Sequence, residues 1–144
     1  MPFEQTKISL YFTWTLALVS TLGSLFFSEV MLLPPCKLCW YQRICMYSLV
    51  AILAVGILRN DRAVAFYALP LSLLGFATAL YHNLLYYHWI PESLAPCAEG
   101  ISCTSRQVEW LGFITIPLLA LVAFAITTLL LFPHCINFRK RDAY

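Results

Sequence analysis

Cys36-Lys37-Leu38-Cys39 is followed four residues on by Arg43, so two thiols and a guanidinium fall at i, i+3 and i+7 of one segment. On an α-helix that spacing places all three on one face. Pro34 and Pro35 suit an extended approach rather than a helix interior, and a helix start near Cys36 is expected. A thiol in a first helical turn meets the positive end of the macrodipole, and a cation one turn further in also favours thiolate. The chemistry open to such a pair is thiol–disulfide exchange coupled to an electron acceptor. Two more cysteines, Cys97 and Cys103, share a later polar stretch, while Cys45 and Cys135 stand apart from both pairs.

The elements that must position these thiols follow from composition. The chain has 144 residues, of which 61% are hydrophobic and 11% charged, and its mean hydropathy is +0.77. That is too apolar for a soluble domain of this length. The reading is an all-α membrane protein: a four-transmembrane-helix bundle in one membrane domain, 1–144, with spans at about 8–28, 40–58, 63–86 and 110–132. Pro117 is expected to kink the fourth span and Pro133 to end it. A cleaved signal peptide competes for the first span, but the uncharged run from Ile8 to Ser28 is longer than the usual apolar region of about 7–15 residues, and no small-x-small site follows. Tyr81, Tyr86, Tyr87 and Trp89 cluster as an interfacial aromatic belt would. A net charge of +2 without a basic, aromatic-interleaved tract argues against nucleic acid as a partner.

Orientation follows from lysine and arginine in the connections. Lys7, Arg59, Arg62, Arg139, Lys140 and Arg141 lie on one side, against Lys37 and Arg106 on the other, so both termini are expected to be cytoplasmic. The loops at about 29–39 and 87–109 are then extracytoplasmic. They carry Cys36, Cys39, Cys97 and Cys103 on the side where disulfides persist.

Simpler readings compete with catalysis. Structural disulfides alone would explain paired cysteines, but CxxC closes a very short loop and gains little as a staple. A zinc site from the four external cysteines fits poorly, because Cys97-x5-Cys103 lacks the short spacing of a second knuckle, and no metal site is expected. Arg43 has a snorkelling alternative, yet an intramembrane cation on the cysteine face usually has a partner. His82 reads either as an interfacial polar residue or as a ligand or proton donor. Cys45, inside an apolar helix, reads as a packing thiol. At the level of function, a disulfide-stapled scaffold and a transmembrane reductant carrier are the alternatives to an oxidase. The carrier needs a dithiol reachable from the cytoplasm, where only Cys135 lies.

The composite of four spans, Cys36-Lys37-Leu38-Cys39-Trp40-Tyr41-Gln42-Arg43-Ile44-Cys45, the Cys97 and Cys103 pair, Arg106-Gln107 and Trp110-Leu111-Gly112 resembles the disulfide bond formation protein B (DsbB) family, and within it the short BdbC-type form. The resemblance implies a quinone-dependent thiol oxidase, multi-pass in the bacterial cytoplasmic membrane. It would reoxidise an extracytoplasmic thioredoxin-fold thiol oxidase (DsbA- or BdbD-like) and pass electrons to menaquinone or ubiquinone. By the same resemblance Cys36 and Cys39 match the quinone-proximal pair, with Cys39 the thiolate that meets the quinone ring. Arg43 matches the arginine that favours that thiolate, Cys97 and Cys103 match the partner-facing pair, with Cys97 forming the mixed disulfide, and His82 matches a histidine near the quinone. The short Cys97–Cys103 loop departs from longer members, which carry an extended segment there. That departure bears on whether a disulfide between the two pairs forms with the same geometry.

Overall fold

The computed structural model describes residues 2–94, 102–103, 109–110 and 114–142. Its helices are α1 (Pro2–Leu25), α2 (Lys37–Arg59), α3 (Val64–Tyr86) and α4 (Ile116–Asp142). All four are long and apolar enough to cross a membrane. Each packs on two neighbours in the cyclic order α1, α2, α3, α4 and back to α1, which is an up-and-down bundle. The core is built from small and aliphatic residues, including Ala17, Leu49, Leu53, Ala68 and Leu131, around the buried ring of Phe124. Outward positions are equally apolar. Leu58, Leu74 and Leu129 are exposed, as lipid-facing side chains are when no aqueous surface has to be served.

Local sequence explains where helices stop. Asn60 adopts a left-handed conformation, φ 51°, at the end of α2. Its N–H and that of Asp61 bond back to the carbonyls of Ile57 and Gly56, the two bonds of a Schellman motif. Asp61 then accepts from the Ala63 N–H and the Tyr67 hydroxyl. Those two bonds, the Tyr67 hydroxyl foremost, hold its carboxyl below the usual carboxylate range. At the other end of the bundle, α1 passes into a single π-helical turn, Phe26–Val30, a geometry frequent at functional sites.

Two prolines act differently from expectation. The fourth span does not begin as a helix at 110, because β1 (Glu109–Trp110) pairs antiparallel with β2 (Ile114–Thr115), Glu109 opposite Thr115. Thr115 Oγ1 caps α4 by accepting from the Leu118 N–H at 3.4 Å. Pro117 therefore sits in the first turn, where its missing N–H leaves no bond unmade, instead of kinking the helix two turns in. Pro133, expected to end the span, lies inside α4. Proline removes one backbone bond, and a helix already about five turns long resumes beyond that loss.

Close approach of α3 and α4 depends on Gly75. A Cβ placed there would lie 2.1 Å from the Phe124 ring. Gly75→Val is expected to destabilise the bundle by about 1–3 kcal/mol through overpacking. Thermal unfolding of the purified protein in detergent measures this, and Phe124→Leu in the same chain should restore part of the loss.

Candidate redox site

The site forms at the end of the bundle where α2 begins and α3 ends. Cys36 is the N-cap of α2, in an extended conformation, and its sulfur accepts from the Cys39 N–H at 3.4 Å. The two sulfurs are 2.9 Å apart and both thiols are free. The CxxC pair, reduced in this structure, is thus presented at a helix N-terminus.

His82 reaches this pair from α3. Its Nε2 lies 3.8 Å from Cys36 Sγ and 3.2 Å from the backbone carbonyl of Cys103. Its Nδ1 is 3.2 Å from the side-chain amide nitrogen of Gln42. A carbonyl oxygen can only accept, so the network assigns the ring proton to Nε2, with Gln42 donating to Nδ1. Cys36 Sγ consequently faces the imidazole N–H, and it shares a hydrogen bond with the Cys39 thiol. The Cys39 thiol first, then His82 and the Cys39 backbone N–H, hold the Cys36 thiol well below its ordinary range, against the opposite push of burial. The lowering thus falls on Cys36, the N-cap thiol of the pair.

Cys103 is buried, belongs to a disulfide and packs in one apolar cluster with Cys36, Leu38 and Leu85. The cluster brings the second cysteine stretch against the first. Cys97, Arg106, Gln107, Leu111 and Gly112 lie outside the described residues.

Cys39 faces the other way. It lines a cavity of about 400 Å³ enclosed by α1, α2 and α4, together with Gln42 and Arg43. The remaining wall is mostly apolar, with Gly23, Leu119 and Ala123 among its residues. Arg43 is 8% exposed and is fixed by Ser24, donating from Nε to the hydroxyl and from Nη2 to the carbonyl, each at 2.8 Å. Its guanidinium also lies 5.4 Å from the centre of the Trp40 ring, within cation–π range. A cation paired to neutral oxygens keeps its full charge for an anion that develops beside it.

His82 does not line this cavity, because the cavity lies between α1, α2 and α4 and α3 is not part of its wall. The resemblance implied a place for it near the quinone; in the structure its ring lies between Cys36 Sγ and the Cys103 carbonyl. Gln42 and Ser24 escaped the sequence reading. Gln42 follows Cys39 by three residues and so shares its face, a signal that was present. Cys45 packs at the margin of the core, as a packing thiol does.

The model of the family described as "Disulfide bond formation protein DsbB" matches residues 6–133. The chain is 44% identical over 119 residues to "Disulfide bond formation protein C" of Bacillus subtilis (strain 168), covering 81% of this chain and 85% of that protein. It is 47% identical over 114 residues to a "Probable disulfide formation protein C" of Halalkalibacterium halodurans, covering 79% and 83%. A "Probable disulfide formation protein" of Metapseudomonas resinovorans is 47% identical over 131 residues, covering 90% and 91%. No solved structure matches the chain significantly.

Proposed function

The chain belongs to the disulfide bond formation protein DsbB family, and on that premise we propose that it is a quinone-dependent membrane thiol oxidase that reoxidises an extracytoplasmic thioredoxin-fold dithiol oxidase. The observation that carries this reading is one line of groups: the Cys103 stretch, His82, Cys36, Cys39 and then the cavity holding Arg43. The balance of positive charge supports both chain ends being cytoplasmic and this end of the bundle lying at the outer face.

The cavity residues fit a quinone. Apolar walls suit an isoprenoid chain, the volume is within the usual range for small-molecule sites, and Cys39, Gln42 and Arg43 add polar groups to the lining. A bound menaquinone or ubiquinone would supply a two-electron, two-proton acceptor. The chain's own residues do the rest. A reduced partner exchanges with the disulfide that contains Cys103, converting its own dithiol to a disulfide and leaving two thiols on this chain. The Cys103 thiol so freed, packed beside Cys36, attacks a Cys36–Cys39 disulfide at Cys36, forming a Cys36–Cys103 bond and breaking the Cys36–Cys39 bond. The remaining thiol of the outer pair then attacks Cys103 and restores the outer disulfide, with Cys36, whose thiol is held well below its ordinary range, as leaving group. Bonding of Cys36 to another sulfur releases Cys39 as the free thiol at the cavity. Arg43 then favours the anionic form of Cys39, because charge there is met by a preorganised cation in a low-dielectric site. His82 holds its Nε2 proton between Cys36 and the Cys103 carbonyl, and Gln42 keeps that tautomer.

Gly23 gives a direct test of the cavity. It lines the wall, and a Cβ built there meets nothing within 4 Å. Gly23→Leu should therefore fill the acceptor space without a clash. The expected result is a rise in KM for quinone of about tenfold, equivalent to 1.4 kcal/mol of binding, while exchange with the partner keeps its rate. Initial rates of quinone reduction against quinone concentration measure it. An unchanged KM would remove the cavity as the acceptor site.

A further inference from the structure

Three donor atoms of the redox site belong to a soft-metal donor set. Cys36 Sγ, Cys39 Sγ and a ring nitrogen of His82 all lie within 4.8 Å of one another. The two cysteines are free thiols, and Cys36 and His82 are buried. Tetrahedral zinc, with bonds of about 2.3 Å to sulfur and about 2.0 Å to nitrogen, sets its ligand atoms roughly 3.5–3.8 Å apart. Cys36 Sγ and His82 Nε2 are already 3.8 Å apart. The sulfurs, at 2.9 Å, need to open by about 1 Å to reach that spacing. Rotation of Cys39 towards the cavity beside it supplies such a movement.

The surroundings complete the case. A ligating histidine needs its other nitrogen held by a polar partner, and Gln42 is in place at Nδ1. An amide can accept as well as donate, so Gln42 serves either tautomer of the ring. Two cysteines and one histidine leave a fourth position for water, as in three-ligand catalytic zinc sites.

We propose that the reduced form of this site captures a zinc-class divalent cation through Cys36, Cys39 and His82, and that the captured ion blocks oxidation of the pair. Binding forms two sulfur–metal bonds and one nitrogen–metal bond. Any proton still on the pair passes to solvent, and the Nε2 proton is exchanged for one on Nδ1 facing Gln42. No electron moves, and oxidation of the pair abolishes the site, since a disulfide sulfur is no thiolate ligand. The block on turnover rests on the oxidase reading above; the binding does not.

The test uses the full chain in detergent micelles, reduced and kept anaerobic, with Cys45→Ser and Cys135→Ser removing two further thiols and, in a parallel sample, Cys97→Ser with Cys103→Ser removing the thiols that reduction of the Cys103 disulfide releases. Zn²⁺ is titrated against a chromophoric chelator, and Cd²⁺ is followed by its thiolate-to-metal charge-transfer absorbance. One ion per chain is expected, with none bound by the oxidised protein. His82→Ala should weaken binding on the order of 10–100-fold or more, the loss known for groups that only support a ligand. Zn²⁺ should also protect both Cys36 and Cys39 from alkylation in the protein with His82 intact, which keeps the test independent of how the variant folds. Equal affinity in His82→Ala, loss of binding in Cys103→Ser, or alkylation of Cys36 at an unchanged rate would each overturn the proposal. Neither quinone nor partner is present, so failure here leaves the oxidase reading standing, and failure of quinone reduction leaves the metal site standing.

Discussion

Cys39→Ser is expected to reduce quinone-dependent turnover to background, a fall on the order of 10⁴-fold or more, as when a nucleophile acting in a unit is removed. Serine cannot form a disulfide, so electrons that reach Cys36 have no way on to the cavity. The same variant should accumulate a disulfide between Cys36 and Cys103, because Cys36 packs beside Cys103, can attack the disulfide that contains it and no longer has a resolving partner. Mass spectrometry of the alkylated, unreduced protein would identify it. Quinone reduction persisting in the variant would take Cys39 out of the relay. The Cys36 sulfur and the Cys103 backbone carbonyl both meet His82, which brings the two stretches together.

Arg43→Ala should slow quinone reduction by about 10²–10³-fold, the loss typical when one preorganised group facing a developing anion is removed. Exchange with the partner should change little, because Arg43 faces the cavity and the partner-facing disulfide lies beyond His82. Arg43→Lys is expected to recover only part of the rate. Lysine keeps the charge but lacks the planar fork with which Arg43 grips both the hydroxyl and the carbonyl of Ser24. Ser24→Ala, which loosens that grip without removing the charge, should shift the rate in the same direction by less. Stopped-flow measurement separates the two steps, and an unchanged quinone step in Arg43→Ala would refute the assignment.

Much of this was legible in the sequence, and the reason is local. Four apolar runs dictate four helices because the bilayer leaves backbone groups no other partners. Cys36, Cys39 and Arg43 share a face because helical geometry follows from spacing alone. What stayed hidden depends on contacts between helices. Ser24 precedes Arg43 by 19 residues on another helix, and serines in apolar helices commonly bond their own backbone, as Ser48 does with Ile44. The bond between Gln42 and His82 spans 40 residues. Nothing in either segment alone gives the direction of the His82 ring, which lies between Cys36 Sγ and the Cys103 carbonyl and outside the cavity wall. The two prolines misled for a related reason. A proline constrains its own turn, whereas its effect on the element depends on whether that turn is a first turn, as at Pro117, or is carried by a long helix on both sides, as at Pro133.

The distinction between an oxidase and a disulfide-stapled scaffold comes down to whether these thiols follow the quinone pool. Free thiols can be trapped with a mass-tagging alkylator in cells with and without respiratory quinone, and the tags on Cys36, Cys39, Cys97 and Cys103 counted. An oxidase accumulates reduced thiols at these positions when quinone is depleted and regains disulfides when quinone is restored. An unchanged tagging pattern would contradict quinone-dependent turnover and leave the cysteines a structural role.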